Sequence, residues 1–292
     1  MTEASTVGHR AAVLGRPVAH SLSPVIHNAG YQAAGLDGWI YTRHDCGEEE
    51  LAGFVAGLGP EWAGLSLTMP LKEVALTVAD SVSDLAVALG AANTLVLKPD
   101  GIRAENTDAP GMVAALERVG VTTVEHVAVL GAGGTARAAV GAAQALSARQ
   151  VTVYARRPEA IAELATVAQR LGMPLTGAEW ERVPEAVDAD LVISTVPRGV
   201  GDVWADQPLR WRTDQTFFDV LYDPWPTPLA EAAARAGCRV VGGLELLLAQ
   251  AVGQFELFTG VTAPVAAMEA ALRAAVSGAG DDTKRSKVAT PQ

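Results

Sequence analysis

The sequence predicts an α/β protein of about two domains, the second doubly wound around a parallel sheet. Three observations predict it. The chain has 292 residues, which suits two domains of roughly 100–200 residues each. Short apolar runs of strand length alternate with longer helical ones, the pattern of strand–helix–strand units. A glycine-rich turn, Gly131-Ala132-Gly133-Gly134-Thr135-Ala136, stands between a strand-like and a helix-like run, where an open parallel sheet places its phosphate loop. Apolar residues make up 49% and charged residues 19%, so a sizeable core can form.

The elements follow in order. Residues 1–10 read as a loose tail. Ala11–Gly15 (AAVLG) is a buried strand ending in glycine. After the loop HSLSP, Ser23 and Pro24 read as N-cap and first residue of a helix reaching about Ala34. Trp39–His44 is a strand, Glu48–Leu58 an amphipathic helix and Gly64–Thr68 a strand. Met69-Pro70 breaks the chain, and a helix starts near Leu71. Asn93–Lys98 and Gly101–Asn106 flank Pro99-Asp100-Gly101, a hairpin-type turn. A largely parallel sheet is expected for this half.

The second series begins with a helix over Pro110–Val119. Strands at His126–Leu130 and Val151–Ala155 alternate with helices over Thr135–Ala148 and Pro158–Leu171. Asp190–Ser194, Phe217–Leu221 and Arg239–Val241 are further short strands, separated by helical or loop insertions. Leu244–Phe258 is a long helix and Ala263–Ala275 another. The end, GAGDDTKRSKVATPQ (278–292), has little to bury and is expected to be disordered.

Lys and Arg number 22 against 33 Asp and Glu, a net charge of −11. That excludes non-specific nucleic-acid binding through a basic face and a polybasic membrane anchor. Residues 1–108 hold 6 Lys/Arg and 13 Asp/Glu, and lysine occurs only at 72, 98, 284 and 287. Any bound anion must therefore meet a few placed cations. Cys46 and Cys238 are isolated and read as buried thiols of a reducing cytosol. No His pattern suggests a metal. MTEASTVGHR has no signal-peptide character, and no apolar run approaches a membrane span of about 20 residues. A cytoplasmic protein acting on small molecules is expected.

The turn at 131–136 fits G-x-G-x-x-[G/A]. The first glycine permits the tight turn, the second lets backbone approach a pyrophosphate, and Ala136 lets helix pack on strand. An NAD site places Asp or Glu at the end of the next strand. Here stand Ala155-Arg156-Arg157, and two guanidiniums can fork onto a 2′-phosphate. NADP(H) is therefore the cofactor expected, with a solvated arginine pair the plain alternative. Lys72 lies one turn past a strand end, where a surface helix lysine also fits. Asp108 closes Asn106-Thr107-Asp108 and reads either as a helix N-cap or as a carboxylate for a substrate hydroxyl and an ammonium. In extended chain Ser21 and Ser23 face one side, a pair able to hold a carboxylate.

Taken together, the chain resembles the shikimate dehydrogenases. The matching motifs are GRPVAHSLSP (15–24), SLTMPLK (66–72), GAANTL (90–95), ENTD (105–108), GAGGTARA (131–138), ARR (155–157), DVLYDPWPTPL (219–229) and GLELLLAQA (243–251). They stand in the family's order and cover residues 11 to about 275. The resemblance implies two domains with the active site in a cleft: a substrate domain, 1–108 completed by helices at 245–277, and a Rossmann-type NADP domain at 109–244. It implies NADPH-dependent, reversible reduction of 3-dehydroshikimate to shikimate in aromatic amino-acid biosynthesis, by a monomer or homodimer.

Carried over by position, Lys72 and Asp108 are the catalytic pair. Ser21 and Ser23 hold the substrate carboxylate with Tyr222, while Thr68, Asn93, Asp108 and Gln250 bind ring hydroxyls. Gly131, Gly133, Gly134, Thr135 and Arg137 form the phosphate loop, Arg156 and Arg157 the 2′-phosphate site. Thr195, Val196 and Leu244 lie along the nicotinamide half. Three positions depart from the pattern. Ser66 replaces a frequent Asn and forfeits an amide contact, Ala155 loses the amide of a frequent Asn-Arg-Thr, and Glu245 replaces a frequent Met. The competing functions are a broader quinate/shikimate dehydrogenase and a non-catalytic protein binding NADP or an aromatic precursor.

Overall fold

A computed structural model describes residues 8–286. In chain order the elements are β1 (Arg10–Gly15), α1 (Ser23–Ala33), β2 (Ile40–Asp45), α2 (Glu48–Ala56), β3 (Trp62–Leu67), α3 (Ala75–Val78), β4 (Ser81–Val82), α4 (Asp84–Leu89), β5 (Thr94–Lys98) and β6 (Gly101–Glu105). There follow α5 (Asp108–Glu117), β7 (His126–Leu130), α6 (Gly134–Ala145), β8 (Gln150–Ala155), α7 (Pro158–Arg170), β9 (Leu175–Glu179), β10 (Leu191–Ser194), β11 (Thr216–Asp219), α8 (Pro228–Arg235), β12 (Arg239–Val241), α9 (Gly243–Thr259) and α10 (Val265–Ser286). A 3₁₀ stretch over Trp180–Asp188 joins β9 to β10.

Two compact units result. The first comprises the described residues up to Ser81, Thr94–Arg103 and those from Ala251 on. The second comprises Val82–Asn93 and Ala104–Gln250. The sequence-based boundaries differ at 82–93, 104–108 and 245–250. The reason is packing: α4 lies on α6 and α7, and Leu89 and Leu246 are buried with Met112, Val127 and Ala139 in one core.

In the first unit β1 pairs in parallel with β2 and β3, and Ala11–Leu14 are buried on both faces, as a continuous apolar run demands. The expected parallel sheet then reverses, because β5 runs antiparallel to β3. The full order is β2-β1-β3-β5-β6-β4. Helix α1 lies on α10, closely enough that a Cβ on Gly30 would stand 2.9 Å from Phe255 and 3.1 Å from Met268. The second unit is the expected doubly wound sheet, β12-β11-β10-β7-β8-β9, with every pairing parallel. Strand β7 shows why: Val127 and Val129 face one core while Ala128 and Leu130 face the other, the two-residue period of a strand buried on both faces.

Four boundaries correct the sequence reading. Helix α1 begins at Ser23 with Leu22 as N-cap, so the Ser23 hydroxyl is not a cap. No helix starts at Leu71: residues 69–74 are turns, because Arg16 N–H bonds Met69 O and keeps the chain along β1. Helix α5 starts at Asp108, two residues early. Helix α10 runs to Ser286, past the expected end at Ala275, through a stretch whose glycines and aspartates do not by themselves favour helix. Of the tail expected to be disordered, 287–292 lies outside the described residues, as does 1–7 of the N-terminal tail.

Candidate active site

The predicted residues divide between the units: Ser21, Ser23, Thr68 and Lys72 in the first, the others in the second. In the first unit, the ends of β1 and β3 are sewn together. Thr68 N–H bonds Leu14 O at 2.9 Å, and Arg16 N–H bonds Met69 O at 2.9 Å. A Cβ on Gly15 would come within 2.3 Å of the Thr68 methyl and 2.9 Å of Met69 O, so the approach requires glycine. Leu71 is fully buried and anchors the turn that presents half-buried Lys72. The Ser21 and Ser23 hydroxyl oxygens are 3.3 Å apart, but not by the expected extended chain, since Leu22 between them lies in the αR region.

Beneath those serines runs a buried polar chain that sequence reasoning missed. The Tyr41 hydroxyl donates to Ser66 Oγ at 2.6 Å, and Ser66 donates to Gln254 Oε1 at 2.7 Å. Gln254 Nε2 donates to Thr94 Oγ1 at 3.1 Å. The amide that Ser66 lacks is therefore met by one from α9. Burial pushes the Tyr41 hydroxyl above its usual range, and its bond to Ser66 partly offsets the rise. His27 stacks on Tyr41 with centroids 4.1 Å apart and planes 6° from parallel. Burial pushes its imidazole down to about 3, partly opposed by Gln254, yet neither ring nitrogen has a bond that satisfies it. The sequence signal was a histidine, a tyrosine and a glutamine among apolar neighbours.

In the second unit the ENTD segment packs against Asn93. The Asn93 amide donates to Asp108 Oδ1 and to Thr107 Oγ1, both at 2.9 Å, and accepts from Thr107 N–H at 2.8 Å. Asn106 Oδ1 accepts from the N–H groups of Asp108 and Ala109, at 3.0 and 3.2 Å. Asn106 thus performs the capping that Asp108 could have done, while the Asp108 carboxylate, 8% exposed, accepts from Asn93. Gln250, 9% exposed, reaches the same neighbourhood. A Cβ on Gly111 would stand 2.9 Å from Gln250 N, so α5 and α9 touch backbone to backbone.

The glycine turn fits a dinucleotide phosphate. Gly131 has φ +99°, and a Cβ there would stand 2.8 Å from Thr195 Oγ1 and 3.1 Å from a Val196 methyl. Thr195 is itself pinned, its hydroxyl donating to Leu130 O at 2.9 Å. Beside Gly133 and Gly134 the Cβ positions are empty to 4 Å, leaving an open cradle at the N-terminus of α6 with Thr135 half-buried next to it. Ala136 is fully buried, as close helix–strand packing requires. Arg156 and Arg157 follow β8 and are exposed; no carboxylate pairs with either among the described residues. Arg137 is engaged elsewhere: its Nη1 donates to Leu89 O at 3.3 Å and its Nη2 lies 3.9 Å from Glu163. It braces α6 on α4.

Tyr222 sits on the loop after β11, its hydroxyl pushed upward by burial and then by Asp223. The loop is fastened at both ends by Asp219, 2% exposed, which accepts from Leu221 N–H at 3.1 Å and from the Thr227 hydroxyl at 2.7 Å. Leu244 and Glu245 are half-buried in the first turn of α9, where the helix dipole favours a carboxylate. That accounts for Glu245 on helix grounds. No group of His, Cys, Asp and Glu suited to a metal occurs among the described residues, and no helix among them is long and apolar enough to cross a membrane.

Comparison with known proteins places these features in a family. Residues 13–95 match the model of the shikimate dehydrogenase substrate binding domain, and 243–273 that of the shikimate 5′-dehydrogenase C-terminal domain. A shikimate dehydrogenase (NADP(+)) of Moorella thermoacetica is 37% identical over 91% of this chain and 92% of its own. The crystal structure of Mycobacterium tuberculosis shikimate dehydrogenase superposes with a TM-score of 0.83 at 44% identity, covering 91% of this chain and 99% of that one. The Thermus thermophilus shikimate 5-dehydrogenase, solved in complex with NADP(H) and shikimate, gives 0.80 at 32% identity, covering 91% and 99%.

Proposed function

The chain belongs to the shikimate dehydrogenase family, and from that premise we propose that Lys72 and Asp108 perform its chemistry, with Ser21, Ser23, Thr68, Asn93, Tyr222 and Gln250 holding the substrate. The reaction is the NADPH-dependent, reversible reduction of 3-dehydroshikimate to shikimate. The enzyme is cytoplasmic, a monomer or homodimer, and acts on small molecules.

The observation that carries the assignment is the buried Asp108 carboxylate fixed by Asn93 Nδ2 at 2.9 Å. Reduction of a ketone builds negative charge on oxygen. The Lys72 ammonium stabilises that charge and supplies the proton. Asp108, held in one orientation by Asn93, accepts from the substrate hydroxyl. Ser21 and Ser23 donate to the substrate carboxylate, aided by Tyr222. The dinucleotide, when bound, supplies the hydride. Gly131, Gly133, Gly134 and Thr135 receive its pyrophosphate, Arg156 and Arg157 its 2′-phosphate, and Thr195, Val196 and Leu244 its nicotinamide half. Arg137 joins the phosphates only on leaving Leu89 and Glu163.

The test is NADPH consumption with 3-dehydroshikimate. Lys72→Ala and Asp108→Asn are expected to lower kcat at least about 100-fold, the low end for a lost acid–base group, with NADPH binding retained. Equal turnover by wild type and Lys72→Ala overturns the assignment of Lys72. Comparing kcat/KM for shikimate and quinate, each with NADP and NAD, separates this enzyme from a broader one.

A further inference from the structure

We propose that Trp225 is a positioning residue for substrate binding: its ring, seated on Gly242, holds the loop that carries Tyr222 against the start of α9, the helix that carries Gln250. This rests on the reading of Tyr222 and Gln250 as substrate contacts given above.

The loop is pinned where it leaves β11 and where it enters α8, because Asp219 accepts from Leu221 N–H at 3.1 Å and from the Thr227 hydroxyl at 2.7 Å. Its first residues lie directly on the start of α9. Gly243 N–H donates to Leu221 O at 3.0 Å, and a Cβ on Gly243 would stand 2.2 Å from Val220 O. Between Leu221 and Thr227 the seat is made by Trp225, 40% exposed. The three atoms nearest a Cβ built on Gly242 all belong to its ring: Cζ2 at 2.8 Å, Cη2 at 3.0 Å and Cε2 at 3.1 Å. The indole occupies the space that a side chain at 242 would fill. Pro224 and Pro226 flank it and fix φ on either side, so the ring's place is passed on to a short, stiff span.

The consequence is a set spacing between two substrate contacts. Helix α9 is the fixed partner, since Leu246 in its first turn is buried in one core with Val127 and Val241, and Gln250 follows on the same helix. Tyr222 is half-buried on the loop, so the loop is the partner that the seat must steady. With the ring in place, Tyr222 is presented to the substrate already ordered. Without it, the substrate has to order Tyr222 on binding, and that cost falls on affinity rather than on the chemical step.

Trp225→Ala removes the seat. The expected result is a KM for shikimate raised about fivefold, as when one more side chain must be ordered on binding, with kcat and the KM for NADP changed less than about twofold. Gly242→Ala, whose methyl group displaces the ring, is expected to raise the same KM and to add nothing in a Trp225→Ala background. The double variant Trp225→Ala/Tyr222→Phe is expected to be no worse than Tyr222→Phe alone, because the ring acts through that phenol. An unchanged KM in Trp225→Ala, losses that add to those of Tyr222→Phe, or a fall in kcat with KM unchanged overturns the positioning role alone. A KM left unchanged by Tyr222→Phe overturns the reading of Tyr222 and the positioning role with it. A folded wild type that does not oxidise shikimate overturns the functional reading as a whole.

Discussion

Asn93 donates to Asp108 Oδ1 at 2.9 Å while accepting the backbone N–H of Thr107 at 2.8 Å. One amide therefore fixes both the turn before α5 and the carboxylate at its start. Asn93→Leu keeps the volume and removes both bonds. The Thr107 N–H is then buried without that acceptor and Asp108 without that donor, at a cost of about 2 kcal/mol. The expected outcome is that loss in urea unfolding, with kcat/KM for shikimate lowered about tenfold or more. Unchanged kcat/KM in a folded Asn93→Leu variant refutes the orienting role.

Arg156 and Arg157 stand exposed just after β8, which ends in Ala155 rather than in an acid. Replacing both by alanine is expected to raise the KM for NADP about 10–100-fold, the range for hydrogen bonds to a charged group. The KM for NAD is expected to change less than about threefold, and thermal unfolding to stay where it was. Steady-state kinetics with each dinucleotide check this, and the single variants show which guanidinium carries more. Equal losses with NAD and NADP would mean that the arginines do not read the 2′-phosphate.

Much of this was legible in the sequence because local chemistry governed it. The cradle at 131–136 needs only a strand, glycines and a helix in succession, and the structure has them at β7, Gly131–Gly133 and α6. What was not legible depended on contacts far apart in the chain. Ser66 reads as a missing amide, yet Gln254 restores one from 188 residues away. Asp108 reads either as a cap or as a substrate-binding carboxylate, because nothing local shows that Asn106 takes the capping. Arg137 reads as a phosphate ligand, and its bond to Leu89, 48 residues earlier, cannot be seen in a motif. The unit boundaries lie elsewhere than in the sequence reading for the same kind of reason, since α4 packs on α6 and α7.

His27 predicts an acid-sensitive stability. Burial depresses its imidazole from 6.5 to about 3, so between those values the unfolded chain binds a proton that the folded chain does not. Stability from this group is complete above about pH 6.5 and falls as pH drops toward 3, at about 1.4 kcal/mol per pH unit. His27→Leu removes the contribution. Urea unfolding of both proteins between pH 7.5 and 5 should show the wild type losing more stability on acidification. A wild-type-minus-variant difference that does not change with pH would show that His27 takes up no proton on unfolding.

Two glycines of one turn are expected to respond oppositely to the same change. Gly131 has φ +99°, and a methyl group there meets Thr195 Oγ1 at 2.8 Å and Val196 at 3.1 Å. Gly131→Ala therefore combines backbone strain with a clash and is expected to cost about 2 kcal/mol of stability. Gly133 has φ −93° and ψ −168°, a conformation open to any residue, and its Cβ direction is empty to 4 Å. Gly133→Ala is expected to leave stability within about 0.5 kcal/mol. Its methyl group enters the space assigned to the pyrophosphate, so the Kd for NADPH should rise about tenfold or more. Fluorescence titration with NADPH beside urea unfolding reads both effects. Normal NADPH affinity in Gly133→Ala would place the phosphates elsewhere, because only an occupied cradle makes that empty space matter.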